Sequence, residues 1–330
     1  MSVWRLLGAC AGLAGGVLAA ALVLGGGAPE PVPAGLPDPG PLTGWGLAAA
    51  RLFTDGGGVV MTGGLLTAAF LLPHPGDRLT ADGLFTLRLA GYGATLLVVA
   101  GLTQLVLCFA EIHGVPPESA LDGGPLAAFA FGTAQGGCLT AQVVLAGVVA
   151  GLARRGRTGA AAFRLFTAAL AAAAAPVLAG HTATAADPLH LSALTLLAHV
   201  LAATLWAGGL AALTVTVLRP RHAAPASAGG TADDEASPAV AVGRFSRVAL
   251  GCVVTVGAAG AATAVLHSGS RGVLLGSAYG GLLLVKVAAL VVLAGFGWEH
   301  RRRTVPRLAG GGASARRAFV RLAAAELLLM

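Results

Sequence analysis

Charged residues are scarce in this chain of 330 residues, because aspartate, glutamate, lysine and arginine together make up only 11% of it. A soluble protein of this length needs roughly a quarter of its residues charged, so the composition excludes a soluble enzyme or binding domain. Hydrophobic residues make up 56% of the chain and recur in long apolar runs. Runs of about 20 residues cross a bilayer core as helices. The sequence therefore predicts an all-α, polytopic transmembrane helical bundle.

Motifs for energy coupling and catalysis are also missing. The chain contains no P-loop or Walker motif, no CPC triplet within an apolar run, no aspartyl-phosphate motif and no serine–histidine–acid elbow. ATP-driven pumping is therefore unsupported, and we expect no enzymatic activity. The four cysteines form no CxxC pair and are interpreted as small core side chains. The glycine runs at 56–58 and 208–209 indicate close helix packing rather than phosphate binding.

The apolar runs define nine segments. They cover residues 5–26, 45–72, 84–110, 125–151, 159–179, 189–218, 241–267, 276–299 and 318–330. The first eight are long enough to cross a membrane, whereas the ninth is too short, so we expect about eight to nine spans. We interpret the ninth as a stub or as part of a longer chain. The first run lacks a clean cleavage site and is interpreted as a retained helix rather than a signal peptide.

Arginine placement predicts the orientation of the bundle. With the N-terminus in the cytoplasm, 18 of the 21 basic residues fall at the inner ends of segments or in inner loops. This is the asymmetry of the positive-inside rule, and it accounts for the net charge of +7 without a nucleic-acid partner. The longest inner loop, 219–240, is polar and is predicted to be a flexible linker.

Five histidines lie on the outer side of this topology or in the outer half of the membrane. They are His113, His181, His190, His199 and His267. Imidazole binds transition metals and haem iron, so their convergence would form a metal or haem site. Within segment 6, His199 shares a helix face with Trp206, seven residues later, whereas His190 falls on the opposite face of a regular helix. A histidine inside a span needs a partner. We interpret His199 as a ligand or transfer-path residue, or alternatively as a neutral side chain bonded to a neighbouring helix.

Two charged residues also lie within predicted spans. Lys286 in segment 8 and Glu326 in segment 9 enter the membrane from opposite sides and reach a similar depth. An ion pair between two antiparallel helices would neutralise both side chains. The sequence therefore predicts a Lys286–Glu326 pair that fixes helix register, the alternative being a role in ion or proton movement.

Five motifs occur in order through the second half of the chain. They are AGH at 179–181, LAHVLAATLWAGGLAAL at 197–213, GRFSRVAL at 243–250, YGGLLLVKVAAL at 279–290 and VRLAAAELLL at 320–329. In these motifs the chain resembles the copper resistance D family of bacterial inner-membrane proteins. The resemblance covers residues 179–330, whereas residues 1–178 are similar only in their general helix pattern.

The resemblance implies a multi-pass protein of the bacterial plasma membrane that transports or handles copper in copper homeostasis and resistance. The site residues that it implies are His181, His199, Trp206 (lining a pathway), Lys286 and Glu326, while the other outer histidines rest on topology alone. Expected partners, besides the lipid bilayer, are an extracytoplasmic copper-binding protein or a cytochrome oxidase copper-assembly factor, to which some relatives are fused. Two alternatives remain open: a haem-binding membrane oxidoreductase with histidine axial ligands, and a purely structural subunit.

Overall fold

The predicted all-α architecture is confirmed by a computed structural model of the protein. The structure describes residues 37–179, 191–219, 233–267, 278–299 and 313–329, with isolated positions at 12, 15, 16, 20 and 302. The helices of the continuous ranges are α1 (Pro41–Leu66), α2 (Ala81–His113), α3 (Gly124–Gly132), α4 (Ala134–Leu152), α5 (Gly159–Leu178), α6 (Leu191–Leu218), α7 (Asp233–His267), α8 (Ala278–Glu299) and α9 (Ala313–Leu329). These ranges contain no β-strand, only one bridge between Arg78 and Thr158.

Five helices of the described ranges are long and apolar enough to cross a membrane. They are α2, α4, α5, α6 and the stretch Val240–Ala264 of α7. The predicted first segment, 5–26, lies almost entirely outside the described residues. The count of eight to nine spans therefore stays a prediction, while the described residues form a helical bundle with five candidate membrane spans.

The predicted fourth segment, 125–151, is wrong as a single helix, because the structure divides it at Thr133. This residue has extended backbone angles between α3 and α4. Its hydroxyl accepts a hydrogen bond from the Gly136 N–H and donates one to the Phe129 carbonyl, which caps α4 and closes α3. Position 136 must be glycine at this turn, since a Cβ there would overlap the Phe129 carbonyl. Hydropathy does not reveal the break because both helices are apolar.

The predicted flexible linker, 219–240, is also shorter than expected. Helix α7 begins at Asp233, so the last residues of that loop are helical. The sequence of this first turn is acidic, which suits the positive end of a helix dipole.

Glycines bring α1 and α2 into backbone contact. A Cβ at Gly57 would lie 2.8 Å from the Gly93 carbonyl oxygen, and a Cβ at Gly93 would lie 2.6 Å from the Met61 nitrogen. Lipid offers no hydrophobic force between helices, so membrane helices associate through close packing of this kind. The interpretation of the 56–58 run as packing residues is confirmed at Gly57, whereas a Cβ at Gly56 would meet nothing within 4 Å.

A second close contact joins α1 to α6. A Cβ at Gly63 would overlap the backbone of Gly208, and a Cβ at Gly208 would overlap the carbonyl of Val59. The adjacent Gly209 faces α7, where its Cβ would lie 2.5 Å from the ring of Phe245. These contacts connect the N-terminal helices to the C-terminal ones.

Inner-side arginines tie helix ends together. The π-helical turn Thr67–Leu71 follows α1, and Arg244 of α7 donates hydrogen bonds of 3.3 Å to the carbonyls at its end, those of Phe70, Leu71 and Leu72. Arg219, after α6, forms an ion pair of 3.4 Å with Asp82 of α2. Arg244 thus bonds carbonyls at a helix end that the helix itself leaves without partners, and Arg219 joins the end of α6 to the start of α2.

Substitution of Gly63 by alanine is expected to destabilise the bundle. The new methyl group would overlap the Gly208 backbone, and overpacking of this kind costs about 1–3 kcal/mol. Gly56→Ala, seven residues earlier in α1, is the matched control, because its Cβ would meet nothing within 4 Å. Denaturation in mixed SDS micelles measures both variants. Equal stability of Gly63→Ala and the control would contradict the packing described here.

Candidate functional site

Helix α6 carries two of the residues that the resemblance implied. Trp206 is 4% exposed, and its indole Nε1–H donates a hydrogen bond of 2.9 Å to the Oε1 atom of Glu326. Glu326 belongs to α9 and is 3% exposed. Trp206 is therefore a buried side chain that joins α6 to α9, and its role in lining a pathway stays a prediction.

The predicted ion pair between Lys286 and Glu326 is absent from the described helices. Lys286 lies on an exposed part of α8, between Val285 and Val287, which are 67% and 50% exposed. The register of α8 thus turns the lysine away from the buried carboxylate, and the neutral indole of Trp206 bonds that carboxylate instead. The pair was predicted because the two side chains reach a similar depth, but the rotation of α8 about its axis determines which residues Lys286 can contact.

His199 is half-buried on the same helix as Trp206. Because α6 is continuous from Leu191 to Leu218, the seven-residue spacing puts both side chains on one face, about 10 Å apart along the axis. No hydrogen bond joins the His199 imidazole to another described residue. The imidazole therefore keeps capacity to bind a ligand in the outer half of the predicted span.

His113 lies at the outer end of α2 and has one ring nitrogen occupied. Its Nδ1 atom is 2.9 Å from the Phe109 carbonyl oxygen, to which it donates, and its ring stacks on Phe109 at a centroid distance of 4.1 Å. Phe129 of α3 contacts the same ring edge-on. A hydrogen bond that holds the proton on Nδ1 leaves the Nε2 lone pair free for a metal.

The convergence of all five outer histidines stays a prediction. His181 and His190 lie outside the described residues, and His267 is the last residue of α7, with its side chain outside the description. Across the described ranges, no group of three or more histidine, cysteine, aspartate or glutamate side chains is placed to hold a metal ion. His113 and His199 are thus two separate ligand candidates in the part of the molecule that is described.

A double-mutant cycle is expected to detect the bond between Trp206 and Glu326. Trp206→Phe and Glu326→Leu each remove one partner, and hydrogen bonds that involve charged groups contribute about 1.5–3 kcal/mol. We expect a coupling free energy of about 1 kcal/mol or more from denaturation in mixed SDS micelles. Glu326→Gln is the conservative control, because its amide oxygen can still accept from the indole. Additive effects of the two single substitutions would contradict the bond.

Comparison with protein families finds one match in the C-terminal part of the chain. Residues 239–330 match the family model described as copper resistance protein D. Comparisons with curated proteins and with solved structures give no match. The matched range includes α8, α9, Lys286 and Glu326, whereas His181, His199 and Trp206 precede it. From residue 239 to residue 330, this chain is therefore similar to copper resistance protein D.

Proposed function

We propose that this protein transports or handles copper across the bacterial plasma membrane and that outer-side histidines capture the ion. The observation that carries the proposal is the family match at residues 239–330, which supports a role in copper resistance. The several apolar helices support a membrane location. Copper is the cargo in this proposal, rather than a resident cofactor.

The contact between α6 and α9 supports His199 as a copper ligand. Trp206 bonds to Glu326, which lies inside the matched family region, so the helix that carries His199 is packed directly against that region. His199 lies on the same face of α6 as Trp206 and about 12 Å from the outer end of the helix as described. An ion held there would enter the membrane next to α9.

The chemistry of the remaining outer histidines fits copper. Neutral imidazole binds both Cu(I) and Cu(II), and His113 offers a free Nε2 lone pair. His181, His190 and His267 would supply further ligands from the outer side. The chain has only three methionines and no CxxC pair, so histidine is the ligand type it offers in number.

Substitution of the proposed ligands is expected to remove copper from the purified protein. We expect copper near one ion per chain by mass spectrometry, with affinity reduced about tenfold or more in His181→Ala and His199→Ala. His74→Ala is the matched control, because the His74 imidazole already bonds the Ala68 carbonyl and lies at the predicted inner side. Its copper content is expected to equal that of the unsubstituted protein.

An absorption spectrum from 350 to 600 nm separates copper from haem. A Soret band without copper would contradict the copper proposal and favour the haem-binding alternative. With neither copper nor haem bound, cellular copper accumulation decides, and accumulation unchanged by His181→Ala and His199→Ala would favour a structural subunit.

A further inference from the structure

A polar seam runs between α2 and α4, helices that precede the matched family region. Its members are Gln104 and Cys108 on α2, and Gln135 and Gln142 on α4. The Gln135 amide donates a hydrogen bond of 2.9 Å to the Cys108 sulfur. Gln135 is exposed, so the seam begins at the outer surface of the protein.

Two contacts fix the register of this seam. Cys108 meets Gln135 at the outer end, and farther in, a Cβ at Gly101 would lie 2.7 Å from the Cγ2 atom of Val143. Gln104 lies between Gly101 and Cys108 on α2, and Gln142 adjoins Val143 on α4. With a rise of about 1.5 Å per residue, the two glutamines differ in depth by about 3 Å when counted from the inner contact and by about 4.5 Å from the outer one.

Both inner glutamines have a bonding deficit. The Oε1 atoms of Gln104 and Gln142 are buried and accept no hydrogen bond from any residue that the structure describes, and Gln142 is 6% exposed. A buried acceptor without a donor costs about 1–3 kcal/mol. Exchange of the oxygen and nitrogen in both amides would bury two NH2 groups in place of the two acceptors, and these donors would need partners of their own.

Water is the ligand that fits two neutral acceptors. One water molecule has two O–H donors, and buried water commonly bonds polar groups of this kind. A hard cation such as Ca²⁺ takes six to eight oxygen ligands, more than the seam offers. Because Gly101 has no side chain, α2 and α4 are in close contact at Gly101 and Val143, next to the two glutamines.

We propose that ordered water occupies the seam between α2 and α4, donates hydrogen bonds to Gln104 and Gln142, and is reached from the outer surface past Gln135. The site lies about 12 Å from the outer end of α4. It hydrates the N-terminal helices at a depth where lipid supplies no hydrogen-bond partner. This inference is independent of the copper proposal.

X-ray radiolysis of the full chain in H₂¹⁸O tests the site, because hydroxyl radicals formed from bound water label adjacent side chains. Leu139 and Val143 border the seam and are expected to gain ¹⁸O. Val144 and Val148 on the same helix are 58% and 44% exposed toward lipid and are expected to stay at background. Equal labelling of the two pairs would overturn the proposal.

Substitution of the glutamines supplies the second arm. Gln142→Leu keeps the side-chain size but removes the acceptor, so labelling of Leu139 and Val143 is expected to fall to background. Gln104→Leu gives an independent variant with the same expected loss, should Gln142→Leu not fold. Thr103→Val, exposed and adjacent to Gln104, is the matched control and should change nothing. Unchanged labelling in both glutamine variants would overturn the proposal, as would a dependence of labelling on sodium or on a chelator, which would indicate a cation instead.

Discussion

The contact between Gly63 and Gly208 is the constraint on which the rest of the bundle depends. Both backbones occupy space that any Cβ would fill, so α1 and α6 meet at the smallest separation that helices allow. On the next residue, Gly209 lets the Phe245 ring of α7 approach, and two residues before Gly208, Trp206 bonds to α9. Residues 206–209 of α6 therefore contact three helices, α1, α7 and α9. A displacement of α6 at Gly208 would move the indole away from Glu326 and would also move His199, which lies on the same rigid helix.

The hydrogen bond between Trp206 and Glu326 joins two of the residues that the family resemblance implied. A buried carboxylate inside a membrane helix needs a donor, and a neutral indole supplies one without bringing a second charge into the bundle. The lysine that was predicted to supply it faces outward on α8. The hydrogen bond between Trp206 and Glu326 thus holds α9 against α6. His199 has no such structural role. It lies on the same face of α6 as Trp206 but makes no hydrogen bond to the described residues.

The sequence located most helices and the glycines at which they pack closely, but it did not predict which polar side chains of neighbouring helices meet. Apolar runs located the helices, while the inner-side position of Arg244 stays a prediction from charge asymmetry. That Arg244 bonds the carbonyls of Phe70, Leu71 and Leu72 could not be predicted, because the π-helical turn that frees them has no hydropathy signal. The predicted ion pair between Lys286 and Glu326 is absent for a related reason. Residue number gives the depth of a side chain in the membrane, but the rotation of its helix depends on packing against other helices. The only sequence signal for the break between α3 and α4 is the pair Gly132–Thr133, a glycine followed by a threonine.

Polar groups in lipid are costly, so the state of their bonds separates structural side chains from candidate ligand sites. Arg244 donates to protein carbonyls and Trp206 donates to Glu326, so both side chains hold helices together. Gln142 has an acceptor that no described residue bonds, and the Nε2 atom of His113 has no partner among the described residues. These open groups lie on α2 and α4, whereas His199 lies on α6, and α1 packs against both α2 and α6. The part of the chain before the family region therefore carries polar groups with acceptor atoms that no described residue bonds, and these atoms are where a ligand would bind.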